Sequence, residues 1–308
     1  MAIEADLTRP QHILRGVILI IAAAFTISVQ DVIFKLFSNT LTLWQIFTVR
    51  ALLVFPLLFL LAWTQGIQRN VLQDALQKWP LLRSLFFTLT FMAFYAAIPF
   101  LSLSTVGAAN YSAPIFIILL SVFVIREPVG WLGWLAVFTG FTGVIVLLQP
   151  GTDAFSSWAI LPVIGACFYA SAHVITRSKC QSTSLTALVL SLNIVMLVAG
   201  LVMSGLFLVW QPENGLTAAY PYIFGQWSAI GISEWLILGL LAILLVSISL
   251  GMAGAYKAAP PAIISTFEYS YLVFVAFWDY LFFATTPSNL GLLGMGLIII
   301  AGLLVLRR

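Results

Sequence analysis

Glu268, His173, Asp31 and Arg50 each lie within an otherwise apolar stretch, and any chemistry this chain performs falls first to them. A charged group near the centre of a bilayer costs about 2.5–3.5 kcal/mol on insertion scales, so each asks for a partner or a purpose. Glu268, with Tyr269 and Tyr271 close by, could bind a cationic substrate group or a proton; the alternative is a structural carboxylate paired with His173 or Lys257. His173 follows Tyr169 by one helical turn. It could protonate during a working cycle, since histidine titrates near neutral pH, or serve only in packing. Asp31 and Arg50 read as a gate or an orientation lock on one side and as plain helix stitching on the other. Lys35, at i+4 from Asp31, offers that carboxylate a local partner. Asp279 falls near a helix end, where it could reach water, and Glu127 beside Arg126 reads as a surface loop pair. Tyr95, Tyr111 and Tyr169, with Asn110 and Asn193, supply donors and acceptors around flat apolar rings, a lining that suits an amphipathic metabolite.

The elements that must position these residues follow from composition. A chain of 308 residues with 62% hydrophobic and 7% charged residues is no soluble globule, whose charged share is about 25%. Ten stretches approach the ~20 apolar residues needed to cross a bilayer. They run near 14–35, 42–63, 79–101, 105–125, 129–148, 158–177, 185–210, 234–256, 262–283 and 289–306. By helical rise, Glu268 lies about 9 Å into the ninth, Asp31 about 7 Å into the first and Arg50 about 12 Å into the second. The expected class is therefore all-α, a polytopic membrane protein. The longest connection, roughly 211–233, carries Tyr220, Tyr222 and Trp227 among Pro and Gly, and reads as an interfacial or partly re-entrant segment.

Eleven of the thirteen Lys and Arg fall in alternate gaps, and the other gaps hold only Lys35. Cytoplasmic loops retain Lys and Arg, so both termini are expected in the cytoplasm of a bacterial inner-membrane protein. The formal charge of +3 is accounted for by this orientation rather than by a nucleic-acid partner. Cys167 and Cys180 suggest neither a disulfide nor a metal site, no cofactor is implied, and the first span is expected to act as its own insertion anchor.

A repeat is visible in the small residues. Gly133, Ala136, Gly140 and Gly143 share one helix face, and Gly291, Gly294, Ile298 and Ala301 recur at the same spacing 158 positions later, each set preceded by a proline, Pro128 and Pro287. Duplication of a five-helix unit, 1–150 and 151–308, explains this. An odd number of spans inserts the second copy upside down, and inverted repeats are a signature of secondary transporters. The same small faces also suit close packing, within the chain or between two copies.

With these features in place, the chain resembles the drug/metabolite transporter superfamily in its ten-helix EamA-type branch. The resemblance rests on Leu43-Trp44-Gln45 leading to Arg50, Phe94-Tyr95, Gly107-Ala108-Ala109, Pro114, Arg126-Glu127-Pro128 and Gly143-Val144. In the second half it rests on Tyr169-Ala170 before Arg177, Ala255-Tyr256-Lys257-Ala258 and Phe267-Glu268-Tyr269. The counterpart of Glu127-Pro128 is Thr286-Pro287, so a role that needs symmetry-related glutamates is not expected. The resemblance implies ten spans, cytoplasmic termini and ATP-independent transport of a small organic metabolite: an amino acid, amine, carboxylate, S-adenosylmethionine or riboflavin. It is strongest toward bacterial uptake carriers of the last two kinds. A coupling proton or an exchanged solute and a monomer or homodimer in the bilayer complete the expectation. Enzymatic activity is not expected: the only histidines are His12 and His173, and neither a zinc-protease motif nor a nucleophile elbow is present. A pore is disfavoured because no filter-like sequence appears.

Overall fold

The computed structural model describes residues 13–38, 40–64, 71–110, 112–120, 131–149, 156–180, 182–210, 214–258, 267, 270–286 and 288–306. Lipid offers the backbone no hydrogen bonds, so an apolar run must satisfy its own N–H and C=O groups, and the described residues are helical with no strand. In chain order the helices are α1 (Ile13–Phe37), α2 (Leu43–Thr64), α3 (Val71–Ala75), α4 (Lys78–Ala97), α5 (Leu103–Asn110), α6 (Ala113–Leu120) and α7 (Trp131–Leu148). They continue with α8 (Ile160–Lys179), α9 (Leu185–Trp210), α10 (Asn214–Ala219), α11 (Pro221–Phe224), α12 (Ile232–Ala258), α13 (Ser270–Phe283) and α14 (Asn289–Leu306). Among the described residues, α1, α2, α4, α8 with its 3-10 lead-in, α9 and α12 are each long and apolar enough to cross a membrane, and α13 and α14 are shorter apolar helices. Large apolar side chains such as Phe138, Val202, Leu236 and Val273 are exposed around the outside, as lipid-facing residues are. The chain is a multi-pass membrane protein.

The expected fourth span, 105–125, is divided. Ser112 stands in a turn between α5 and α6; its N–H and its hydroxyl both donate to the Ala109 carbonyl, at 3.1 and 2.7 Å. A serine hydroxyl that bonds the backbone competes with helical hydrogen bonding. Pro114, two residues on, has no N–H to give the preceding turn and is tolerated only near a helix start, where α6 places it.

The helices pack in a definite set of pairs. α7 lies on α14, α4 on α8, α1 on α12 and α2 on α9, with further contact of α4 with α9, α2 with α12, α8 with α5 and α6, and α13 with α1 and α5. The small faces read from sequence meet each other: a Cβ on Gly143 would come within 2.9 Å of the Gly294 carbonyl oxygen and of Leu297 Cβ. Internal packing of α7 on α14 therefore uses these faces. Gly200 does the same for α9 on α2, where a Cβ would meet Thr48 Oγ1 at 2.4 Å and the Thr48 nitrogen at 3.0 Å. Small residues of this kind let membrane helices approach at backbone distance.

The connection between α9 and α12 is partly folded. Trp44 Nε1 donates to the Ile223 carbonyl at 2.7 Å, and Gln45 and Ser228 exchange hydrogen bonds, Gln45 Nε2 to Ser228 O at 2.7 Å and Ser228 N to Gln45 Oε1 at 3.2 Å. These bonds tie α11 and the strand-free segment behind it to the start of α2. Phe100 stacks on Trp158 with centroids 4.0 Å apart, and Tyr220 packs edge-on against both. Tyr222, on this connection, is buried rather than interfacial.

Candidate functional site

Asp31 is the focus of a buried polar group assembled from both halves of the sequence. It sits in the last third of α1 and is 1% exposed. Tyr271 from α13 donates to its Oδ2 at 2.6 Å, and Tyr95 from α4 donates to its Oδ1 at 3.3 Å. Gln30 Nε2 in turn donates to the Tyr95 hydroxyl at 2.7 Å. Local sequence makes room for this: Gly107 of α5 lies against the Tyr271 ring, and a Cβ there would approach Tyr271 Cε1 to 2.7 Å. Tyr95 is fixed from two sides, stacked on Phe34 at 3.8 Å and edge-on to Phe47 at 6.0 Å.

Arg50 of α2 is also 1% exposed and makes no direct ion pair with Asp31. Its guanidinium carbon lies 5.1, 5.6 and 6.0 Å from the ring centroids of Phe34, Phe47 and Tyr95. Such cation–π contacts offset part of the desolvation of the charge. Nη2 reaches Met196 Sδ at 3.9 Å, while Nε and Nη1 have no hydrogen-bond partner among the described residues. Asp31, Tyr95 and Tyr222 all lie within electrostatic reach of Arg50. The Tyr222 hydroxyl and Gln30 Oε1 are likewise buried and unpartnered. Burial pushes the Tyr222 phenol above its ordinary pKa, so at neutral pH its hydroxyl remains a proton donor.

One turn further along α1, Lys35 is satisfied. Its Nζ donates to the Leu101 carbonyl at 2.7 Å, lies 3.7 Å from Asp279 Oδ1 and sits 4.4 Å above the Phe283 ring. Asp279 Oδ1 also accepts from the Leu103 N–H at 3.0 Å. This overturns two expectations from sequence. Lys35 does not serve Asp31, because a partner from α13 and the frayed carbonyls after α4 compete better than the i−4 neighbour. Asp279 does not reach water; it is 1% exposed and caps α5.

Tyr169 and His173 belong to a second cluster, toward the other end of α4. Their rings are 4.3 Å apart, and Phe87 packs edge-on against both, at 5.6 and 5.3 Å. Arg83 lies 4.5 Å over Phe87 and donates through Nε to Thr176 Oγ1 at 2.7 Å. His173 Nε2 is buried without a partner among the described residues. Phe87, Phe91 and Tyr95 repeat at i, i+4 and i+8 and stack in sequence at 6.5 and 6.2 Å. This ring ladder on α4 joins the two clusters. Asn110 ends α5 with a buried Oδ1 that has no partner among the described residues and is not bonded to Asp31, and Asn193 donates to the Val189 carbonyl at 2.9 Å. Glu268, Tyr269 and Tyr111 lie outside the described residues.

Gln30, Tyr222 and Met196 are members of this site that sequence reading missed as such. Tyr222 signals only an interfacial aromatic, and a methionine in an apolar span carries no signal.

Comparison with known proteins bears on this geometry. Residues 14–149 match the EamA-like transporter family model. The chain is 25% identical over 62% of its length to a riboflavin transporter of Vibrio cholerae, of which 58% is covered, and 26% identical over 66% to an S-adenosylmethionine uptake transporter of Rickettsia felis, of which 63% is covered. These matches thus span less than two thirds of those relatives. A pseudopaline exporter of Pseudomonas aeruginosa is 25% identical over 93% of this chain and 94% of its own. A solved structure described only as the crystal structure of a protein superposes with a TM-score of 0.58 over 95% of both chains at 15% identity, a likeness of fold alone.

Proposed function

We propose that this chain, whose residues 14–149 match the EamA-like transporter family model, is a member of that family in the drug/metabolite transporter superfamily and a secondary carrier of a small organic metabolite, not an enzyme. It works by alternating access, from a bacterial inner membrane with both termini cytoplasmic. The observation that carries this reading is the Asp31 centre, where a carboxylate of the first half is held by a hydroxyl from each half, Tyr95 and Tyr271. A site shared in this way couples the relative position of the two halves to whatever occupies it.

The helix pairing supports the inverted repeat, with halves 1–150 and 151–308 and ten spans, α5 and α6 counted together as the fourth. Exchanging each span with the one five places on turns α1–α12 into α8–α4, α4–α9 into α12–α2 and α1–α13 into α8 against α5 and α6, while α7–α14, α2–α9 and α5–α13 map onto themselves. Every one of these pairs is present. The division of the fourth span at Ser112 is the kind of helix break that carriers use near their sites.

Substrate contact is assigned to Tyr95, Tyr169 and Asn110 with Glu268, Tyr269 and Tyr111, and coupling or gating to Asp31, Arg50 and His173. The ring ladder of α4 favours a flat amphipathic solute, as the riboflavin and S-adenosylmethionine named for the relatives are. The test is flux into liposomes holding the purified protein, against amino acids, polyamines, carboxylates, S-adenosylmethionine and riboflavin. Saturable uptake or exchange of one of them without ATP is expected; no flux with any solute that stabilises the protein removes the carrier reading.

A further inference from the structure

We infer that Arg50, together with the Tyr222 hydroxyl, is a subsite for a carboxylate of the transported solute; this rests on the carrier reading and deepens it. A guanidinium carries five N–H donors and cannot shed its charge. Here Nε and Nη1 have no hydrogen-bond partner among the described residues, Nη2 lies 3.9 Å from Met196 Sδ with the Tyr95 side chain also in reach, and the group is 1% exposed. Leaving such donors bare in the interior is costly, and native proteins rarely do so without a use. The three rings around Arg50 stabilise its charge without consuming its hydrogen bonds. The Tyr222 hydroxyl, within electrostatic reach of Arg50, is a further donor, buried and without a partner among the described residues. A set of donors around one fixed cation is complementary to a carboxylate, which accepts up to about four hydrogen bonds.

The only carboxylate within reach of Arg50 among the described residues is Asp31, and it is engaged by Tyr95 and Tyr271. Asp31 therefore supplies countercharge at a distance but no hydrogen bond to Arg50. A charge on Asp31 also repels an incoming anion, so the two compete for Arg50. Tyr222 sits on the connection between α9 and α12 rather than in a span.

The test uses the full chain in detergent with benzoate and its neutral isostere benzamide as probes, read by thermal unfolding. Benzoate is expected to stabilise saturably and benzamide not. Arg50→Met should weaken the benzoate response roughly tenfold or more and Tyr222→Phe by roughly threefold to tenfold, as loss of charged hydrogen bonds does. Asp31→Asn should tighten it. Equal responses to both probes, no response to either, or an unchanged benzoate affinity in Arg50→Met overturns the subsite. Where Arg50→Met does not fold, an unchanged affinity in Tyr222→Phe does so. Benzoate binding without flux of any solute leaves the subsite and removes the carrier; flux of a neutral or cationic solute that Arg50→Met leaves untouched removes the subsite and leaves the carrier.

Discussion

Two charged residues one turn apart on α1 have opposite surroundings. Lys35 has a carbonyl, a carboxylate and a ring. Asp31 and its neighbour Arg50 sit in a set where Gln30 Oε1, Arg50 Nε and Nη1 and the Tyr222 hydroxyl have no partner among the described residues. The first arrangement is complete and holds α1, α5 and α13 together near the ends of α1 and α13. The second is incomplete: it holds four buried polar atoms without a partner among the described residues. A buried ion pair that is matched stabilises position; a buried polar group that is unmatched leaves free energy for a ligand to recover.

The largest effect that would break this contrast is at Asp279. Asp279→Ala leaves Lys35 its Leu101 carbonyl but no countercharge and uncaps Leu103, so a loss of about 2–4 kcal/mol is expected in thermal or denaturant unfolding of the purified protein. The double variant Lys35→Met with Asp279→Leu removes both charges and should recover most of that loss, since apolar replacement of a buried pair is often close to neutral. A double variant no more stable than Asp279→Ala would contradict the pairing. Arg50→Met should cost less than Asp279→Ala, about 1–2 kcal/mol, because few hydrogen bonds are surrendered, yet flux should fall to background. Smallest of all, Tyr222→Phe deletes a hydroxyl that has no hydrogen-bond partner among the described residues and should change stability by less than about 0.5 kcal/mol while still weakening anion binding. A loss of several kcal/mol in that variant would show the hydroxyl to be matched.

Much of the architecture is legible in the sequence because lipid constrains it so tightly. Long apolar runs must be helices, and small-residue faces must meet something, which Gly143 and Gly294 do. Asp31 and Arg50 stand out by chemistry alone, as charges in apolar segments. Their partners do not. Tyr271 is 240 positions from Asp31, and nothing local distinguishes it from the other tyrosines; only the packing of α13 on α1 and the space beside Gly107 select it. The same holds for Lys35, where the sequence offers Asp31 at i−4 and the fold offers Asp279. The turn at Ser112 is readable afterwards in Ser112 and Pro114, but a continuous apolar run outweighs two residues in any hydropathy reading.

The most direct test of alternating access at this centre is side-specific labelling. With Cys167 and Cys180 replaced by serine, Gln30→Cys places a thiol beside Asp31 and Tyr95. In oriented vesicles a membrane-impermeant thiol reagent should reach it from either side, in populations that a transported solute shifts in opposite directions. A thiol reached from neither side, or from one side only whatever solute is present, would contradict a carrier that works through this site.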